Sequence, residues 1–317
     1  MKTYVLFHGN CFDGYGAAFA AWLRFGDDAI YIPVNYGQPM PEIEDGSDVF
    51  MLDFSYPREP LKELARRSKQ LVVLDHHATA EKDLAGLEVE LRTAFGKPHI
   101  VSFNMNKSGA VLACEYFHDD AIKCEVGQLG EFFAYLQDRD LWQFKLPQSR
   151  EVSMALRSYP FDFRKWSEIS GIVPSGQIYE MPGICIDNLK KEGVACRRLT
   201  EQQVEIMAKN HRWGYFDTKK GKVEIKNEFD PGGNGEPTVP AHVVIMPVAN
   251  ATVFFSEVGE KLLEMNPGLD CAAYYFDRKD GNRQWGLRSR ESFDSSSVAK
   301  AFGGGGHKCA SGFVQKL

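Results

Sequence analysis

The chain has 317 residues, enough for two domains with sizeable cores, and its 44% hydrophobic and 25% charged content is ordinary globular usage. Its formal net charge of −6 argues against charge-driven binding of long duplex nucleic acid, but not against short anionic substrates. Seven cysteines without a CxxC pair read as reduced thiols of a cytoplasmic protein. No secretory leader and no apolar run of membrane-spanning length is visible, so no membrane partner is expected.

In chain order, the first apolar run, Lys2 to Phe7, reads as a strand and ends on His8, with Asp13 shortly after. The stretch Gly16 to Leu23 is rich in good helix formers. A second strand, Val49 to Leu52, ends on Asp53. Leu61, Leu64 and Ala65 then recur at helical spacing. The third strand, Gln70 to Leu74, ends on Asp75-His76-His77, and two adjacent imidazoles at a strand end are poor core material and good metal chemistry. Strands alternating with helices predict a parallel sheet, and right-handed crossovers put successive strand ends on one edge. Open parallel sheets bind ligands at that edge. His8, Asp13, Asp53, Asp75, His76 and His77 are therefore expected to converge, although Asp13 or Asp53 taken singly would read as a capping or turn residue.

The next segments look helical. Ser108 can cap a helix over 109–117, and a helix from Leu129 to Leu136 leads into Asp138-Arg139-Asp140-Leu141-Trp142. A charged stretch, 190–203, reads as a linking helix. The turn formers of 227–237 read as loop or insertion. Beyond it, 241–246, 269–276 and 283–290 read as strands, with a helix over 257–265 and a turn at Asp280-Gly281. A short helix around 297–301 precedes Gly303-Gly304-Gly305-Gly306-His307. Four consecutive glycines permit unusual backbone angles and close approach of N–H groups to a phosphate. Trp142 and Trp285 read as core residues, with base stacking as the alternative.

His8-Gly9-Asn10-Cys11-Phe12-Asp13-Gly14, Leu52-Asp53, Asp75-His76-His77 and Phe302-Gly303-Gly304-Gly305-Gly306-His307 together resemble the DHH superfamily of metal-dependent phosphoesterases, in the branch that carries a DHHA1 domain. The pieces span nearly the whole chain in the family's order. The resemblance implies an α/β fold with an N-terminal parallel-sheet DHH domain over 1–189, a linking helix and loop insertion over 190–240, and a smaller α/β DHHA1-like domain over 241–317, facing the first across a cleft. It implies His8, Asp13, Asp53, His76 and Asp138 as metal ligands, with Asp53 bridging two ions. Asp75 would orient a histidine, and His77 would contact phosphate or assist proton transfer. Arg288, Gly304, Gly305, Gly306 and His307 would bind substrate, and Arg290 reads as a solvated charge.

Mixed imidazole and carboxylate ligands suit two Mn²⁺ ions, with Mg²⁺, Zn²⁺ or Fe²⁺ as alternatives. The family's fuller first motif has two aspartates after its histidine, whereas the segment 8–13 has one. Asn10 could add an oxygen there, and Cys11 lies nearby, with a small buried filler as its ordinary role. Asp138 is favoured over Asp140 because it directly follows the apolar helix end. The implied activity is hydrolysis of very short oligonucleotides, dinucleotides or pAp-like nucleotides by a metal-activated water, by a monomer or homodimer. A pyrophosphatase or exopolyphosphatase, and a nucleotide-binding protein with little catalysis, are the alternatives.

Overall fold

The computed structural model describes residues 2–122, 128–173, 186–229 and 239–317. The chain divides into two units, Met1–Arg197 and Arg198–Leu317. The first contains β1 (Thr3–His8), α1 (Phe12–Phe25), β2 (Ile30–Val34), β3 (Asp48–Leu52), α2 (Arg58–Arg67), β4 (Gln70–Asp75), α3 (Ala78–Asp83), α4 (Leu87–Phe95) and β5 (Ile100–Phe103). Then follow α5 (Gly109–Ile122), α6 (Gln128–Asp140), α7 (Ser149–Arg157), α8 (Phe163–Ser170) and α9 (Ile186–Lys209), the last running across the boundary into the second unit.

All five strands are parallel, in the order β2-β1-β3-β4-β5. The period-two alternation of each strand feeds two cores. Val5, Phe7, Phe50, Leu52, Val72 and Leu74 pack toward α1, α5 and α6. Tyr4, Leu6, Val49, Met51, Leu71 and Val73 pack toward α2 and α4. The sheet is therefore buried on both faces, which is why its strands are near-continuous apolar runs. Strand order reverses at β1, which lies between β2 and β3, and a doubly wound sheet opens a ligand crevice at that point.

The contact between α1 and α5 is made by small residues. A Cβ on Gly16 would lie 2.9 Å from the Ala110 Cβ and 2.8 Å from a Leu136 methyl. Ala17, Ala20, Ala110 and Ala113 are fully buried in the same core. This close approach draws the N-terminus of α5 over the C-terminal edge of the sheet.

The second unit is a seven-stranded sheet of order β11-β12-β10-β9-β8-β6-β7. Its strands are β6 (Arg212–Asp217), β7 (Lys222–Lys226), β8 (Val243–Asn250), β9 (Cys271–Asp277), β10 (Asn282–Ser289), β11 (Gly305–Gly306) and β12 (Ala310–Lys316), with α10 (Phe255–Met265) and α11 (Ser295–Ala301). Only β8 and β9 pair in parallel. Two strands arise where the sequence reads as link: β6 and β7, within 190–240, belong to this sheet. β7 is short and alternates charged with apolar residues, and β6 sets Trp213, Tyr215 and Phe216 among glycine and charge, so neither shows a long apolar run. Most of the turn-rich 227–237 lies outside the described residues.

Trp285 is 1% exposed and stacks on Phe313, with Phe216 edge-on at 5.2 Å. Its indole is core, which removes it as a base platform. Trp285→Ala is expected to cost about 3–5 kcal/mol in the denaturant unfolding of this unit. A cost under about 1 kcal/mol would show that the indole carries little of the packing.

Candidate metal centre

Each strand end at the crevice delivers one side chain. His8 closes β1, Asp53 follows β3, and Asp75 closes β4 with His76 and His77 behind it. Asp53 turns the chain through the left-handed region at φ 55°, a conformation that a non-glycine residue adopts at a cost and that clusters at functional sites. Its N–H stays tied to the Leu74 carbonyl at 2.9 Å. The turn leaves the carboxylate 1% exposed. Neither of its oxygens accepts a hydrogen bond of good geometry, and its near neighbours are the His76 Nε2, 3.1 Å from Oδ1, and the His8 Nδ1, 3.4 Å from Oδ2. A buried carboxylate is costly unless it is neutralised, and here the two imidazoles or a cation in their place can do so.

Asp13 reaches the site from the first turn of α1. Gly14 makes this fit, since a Cβ there would lie 2.3 Å from the His8 carbonyl oxygen. The Asp13 oxygens accept the N–H groups of Gly109 at 2.5 Å and Ala110 at 3.0 Å. They thus satisfy two donors at the start of α5, where the helix dipole also favours an anion. Gly109 is a site residue that the sequence did not flag: a Cβ there would lie 2.4 Å from the Asp53 Cβ. Its only sequence signal is its position after the Ser108 capping residue.

His76 is the hub. Its Nε2 lies 3.1 Å from Asp53, 3.6 Å from Asp13 and 3.7 Å from Asp140. Among the described residues, three groups bring ligand atoms within 4.8 Å of one another: His8 with Cys11 and Asp53, Asp53 with His76 and His77, and Asp13 with His76 and Asp140. Asp53 sits in two of them, the position expected of a bridging carboxylate.

The expected ligand Asp138 does not join these groups. Its Oδ1 accepts the Lys145 N–H at 2.9 Å and its Oδ2 the Leu146 N–H at 3.0 Å. It closes the turn after α6. Residues two apart on a helix point about 200° apart, so one aspartate of the pair can face the crevice and the other cannot. Helix α6 continues to Asp140, beyond the apolar segment read from sequence, and this puts Asp140 inward.

Asp75 has a different task. Its Oδ1 accepts the main-chain N–H of His76 at 2.7 Å and lies 2.6 Å from the His77 Nδ1, while Oδ2 accepts from Ser55 at 3.1 Å. A carboxylate in this position makes Nδ1 the donor and leaves the lone pair on Nε2. Asp75 therefore orients His77, and the His76 main chain with it. The rings of His8 and His77 meet edge-on at 5.8 Å, and Tyr36, 53% exposed, stands edge-on to both.

The electrostatics favour a cation. Burial, then the carboxylates of Asp140 and Asp53, push the Asp13 pKa well above the usual range. Burial and Asp53 raise Asp140 against the pull of His76. Burial and the carboxylates of Asp53 and Asp140 raise the Cys11 thiol. Burial opposes charge on Asp53, but His76 and His8 outweigh it and hold that carboxylate far below its ordinary value. His76, disfavoured by burial, is nevertheless raised to about 10 by Asp53, Asp140 and Asp13. Orphaned buried oxygens and mutually repelling carboxylates fit a divalent ion better than they fit a proton.

In the second unit, Arg288 donates from Nη2 to the Ser256 hydroxyl at 2.8 Å and from Nη1 to the Leu287 carbonyl at 2.9 Å, with its guanidinium 5.5 Å from the Tyr274 ring centre. Arg290 is more than a solvated charge, because it donates to the carbonyls of Leu263 and Leu269. The glycine run is mostly structural. Gly305 and Gly306 pair with β12, and the N–H groups of Gly303, Gly304 and His307 already donate to Lys300, Ala299 and Ala310. A Cβ on Gly304 would lie 2.1 Å from the Gly312 carbonyl oxygen, so the glycine admits β12. Those three N–H donors are taken up within the protein and form no open phosphate cradle.

No family model matches the chain. An uncharacterized protein of Acanthamoeba polyphaga mimivirus is 29% identical over 329 aligned residues, covering 98% of this chain and 66% of that protein. The chain thus spans just under two thirds of that relative's length. Among solved structures, an uncharacterized protein from Helicobacter pylori aligns with a TM-score of 0.37 at 15% identity. A pGpG-specific phosphodiesterase, PggH, from Vibrio cholerae aligns with a TM-score of 0.39 at 12% identity. Each alignment covers 100% of this chain and 93% of the other. Neither TM-score is high enough to carry an argument.

Two outcomes follow from the geometry. Asp140→Asn is expected to weaken divalent-metal binding by roughly 10–100-fold with the fold intact. Asp138→Asn is expected to leave metal affinity near wild type and cost about 1–3 kcal/mol of stability, since it weakens the partners of two N–H groups. Equilibrium dialysis and denaturant unfolding separate the two, and the reverse pattern would restore Asp138 as the ligand.

Metal affinity should also depend on pH. With its pKa raised to about 10, His76 carries a proton at neutral pH, and a cation must displace it. Affinity should therefore rise with pH, about tenfold per unit for each proton displaced, and flatten above the raised pKa. Titration calorimetry in buffers of different ionisation enthalpy measures the released protons. A pH-independent affinity without proton release would take His76 out of the ligand set.

Proposed function

We propose that this protein is a divalent-metal-dependent phosphodiesterase of the DHH type that hydrolyses short nucleotidic substrates: very short oligonucleotides, dinucleotides or pAp-like nucleotides. The observation that carries this reading is the Asp53 carboxylate, buried, flanked by the His8 and His76 ring nitrogens, and shared between two groups of ligand side chains at the reversal point of a parallel sheet.

His8, Cys11 and Asp53 would hold one ion, and Asp13, His76, Asp140 and the shared Asp53 the other. Bound there, two divalent ions would supply Lewis acidity toward a phosphoryl group and a nucleophile at neutral pH. The chain supplies the rest. Asp75 holds the His77 ring by Nδ1, so that Nε2 can meet a phosphoryl oxygen or carry a proton to a leaving oxygen. Asp13 fixes the start of α5 against the crevice, so the ligands need little reorganisation when a substrate arrives. Tyr36 offers an exposed aromatic face beside His8 and His77, which suits a base or sugar and favours nucleotides over inorganic phosphoanhydrides. In the second unit, Arg288 and His307 are the proposed contacts to a further phosphate. The guanidinium fork suits a phosphate bidentately.

The test is a Mn²⁺-supplemented hydrolysis panel of linear dinucleotides, longer oligonucleotides, cyclic dinucleotides, pAp and pyrophosphate. The short linear diesters or pAp should turn over fastest. Asp53→Asn should lower turnover about a thousandfold or more, several kcal/mol of charge stabilisation, with an unchanged circular dichroism spectrum. Pyrophosphate as the best substrate would move the assignment to phosphoanhydrides. A folded, metal-replete Asp53→Asn protein with wild-type turnover would end the metal-centre reading.

A further inference from the structure

We infer that the two metal positions differ in chemistry, with the Cys11 thiolate as a direct ligand of the first, making it a soft site beside a hard one. The inference rests on the reading of these side chains as a metal centre.

The argument begins with the turn that follows β1. The Gly9 N–H is held by the Val34 carbonyl at 2.8 Å, and Asn10 takes φ 57°, which an asparagine tolerates better than most residues. The chain thereby folds back on itself, and Cys11 enters α1 as its capping residue in extended geometry, with φ −119° and ψ 137°. Its side chain makes no cap hydrogen bond. The thiol instead comes within 4.8 Å of a His8 ring nitrogen and an Asp53 oxygen, which themselves meet at 3.4 Å. A second observation points to an ion here: the Asp53 oxygens are buried, accept no hydrogen bond of good geometry, and face the ring nitrogens of His8 and His76, all potential ligand atoms.

Charge then separates the two positions. The second can draw on the oxygen donors Asp13 and Asp140 with the His76 imidazole, whose Nε2 also lies 3.1 Å from Asp53. The first has a share of Asp53, the neutral His8 and, if the thiol loses its proton to solvent as the sulfur–metal bond forms, one more negative ligand. Without Cys11 this group would keep Asp53 as its anionic member, beside the His8 imidazole. Thiolate with imidazole and carboxylate selects zinc, ferrous iron or cobalt over magnesium and manganese, whereas oxygen-rich ligation suits the harder ions. The pair is thus built for two different metals, and Cys11 is the residue that makes them differ.

The 317-residue chain, stripped of metal, is titrated with Co²⁺ alone while the near-ultraviolet thiolate-to-cobalt charge-transfer band is followed. The wild type should develop the band, and Cys11→Ser should bind cobalt at the second position without it. Cys11→Asp should also lack the band, hold two Mn²⁺ ions, and shift the Zn²⁺-over-Mn²⁺ preference by roughly tenfold or more toward manganese. X-ray absorption of the zinc form should place a sulfur at about 2.3 Å in the wild type only. Cobalt bound by the wild type without the band, or a band that persists in Cys11→Ser, overturns the inference and leaves the metal centre standing. A protein that binds no cobalt at all overturns both.

Discussion

Everything at the crevice depends on one electrostatic conflict: three carboxylates, Asp13, Asp53 and Asp140, gathered around the single ring nitrogen of His76. Like charges at that spacing repel strongly in a poorly solvated pocket. The fold holds them there regardless, from three different elements. Asp53 is fixed by a strained turn, Asp13 by the N-terminus of α5, and Asp140 by the last turn of α6. An arrangement held in this way would be relieved by a divalent charge.

The supports are themselves consequences of packing. The small side chains between α1 and α5 let α5 lie low enough for its first N–H groups to reach Asp13. Gly109 and Gly14 remove the two Cβ atoms that would hold the helices away. A larger residue in either place would press directly on the candidate ligands, on Asp53 and Asp13 from position 109 and on His8 from position 14. It would push a helix away from the sheet edge and separate groups that lie within 4.8 Å of one another. The site is as much a property of what these glycines lack as of the ligands themselves.

The strand ends of the first unit were legible because a doubly buried parallel strand is a dense apolar run, and a polar residue that breaks off such a run stands out. Parallel topology then places those breaks on one edge. Asp138 and Asp140 were not separable that way. The apolar pattern of α6 stops before the helix does, and which of two aspartates faces inward depends on where the last turn ends. Gly109 was invisible because a steric requirement across 56 residues of sequence, from Asp53, leaves no local mark. Strands β6 and β7 were missed because β7 is a short edge strand that alternates Lys and Glu with Val and Ile, and the aromatics of β6 stand beside glycine and charge without a long apolar run. The glycine run was read for phosphate binding because the same residues serve two needs, close strand packing and anion contact. Only coordinates show that Gly304 gives way to β12.

The bond between Asp13 and the start of α5 spans 96 residues of chain. Closing a loop of that length costs chain entropy before any contact repays it, so such contacts form late in folding. The pocket around His76 therefore does not exist in a partly folded first unit, however well its individual strands have formed. An ion that binds there binds the finished sheet and the docked helices and has no counterpart in the unfolded chain. Its occupancy would stabilise the whole unit by mass action, in proportion to the logarithm of its free concentration. The supply of metal in the surroundings would then set how long the protein persists, as well as whether it is active.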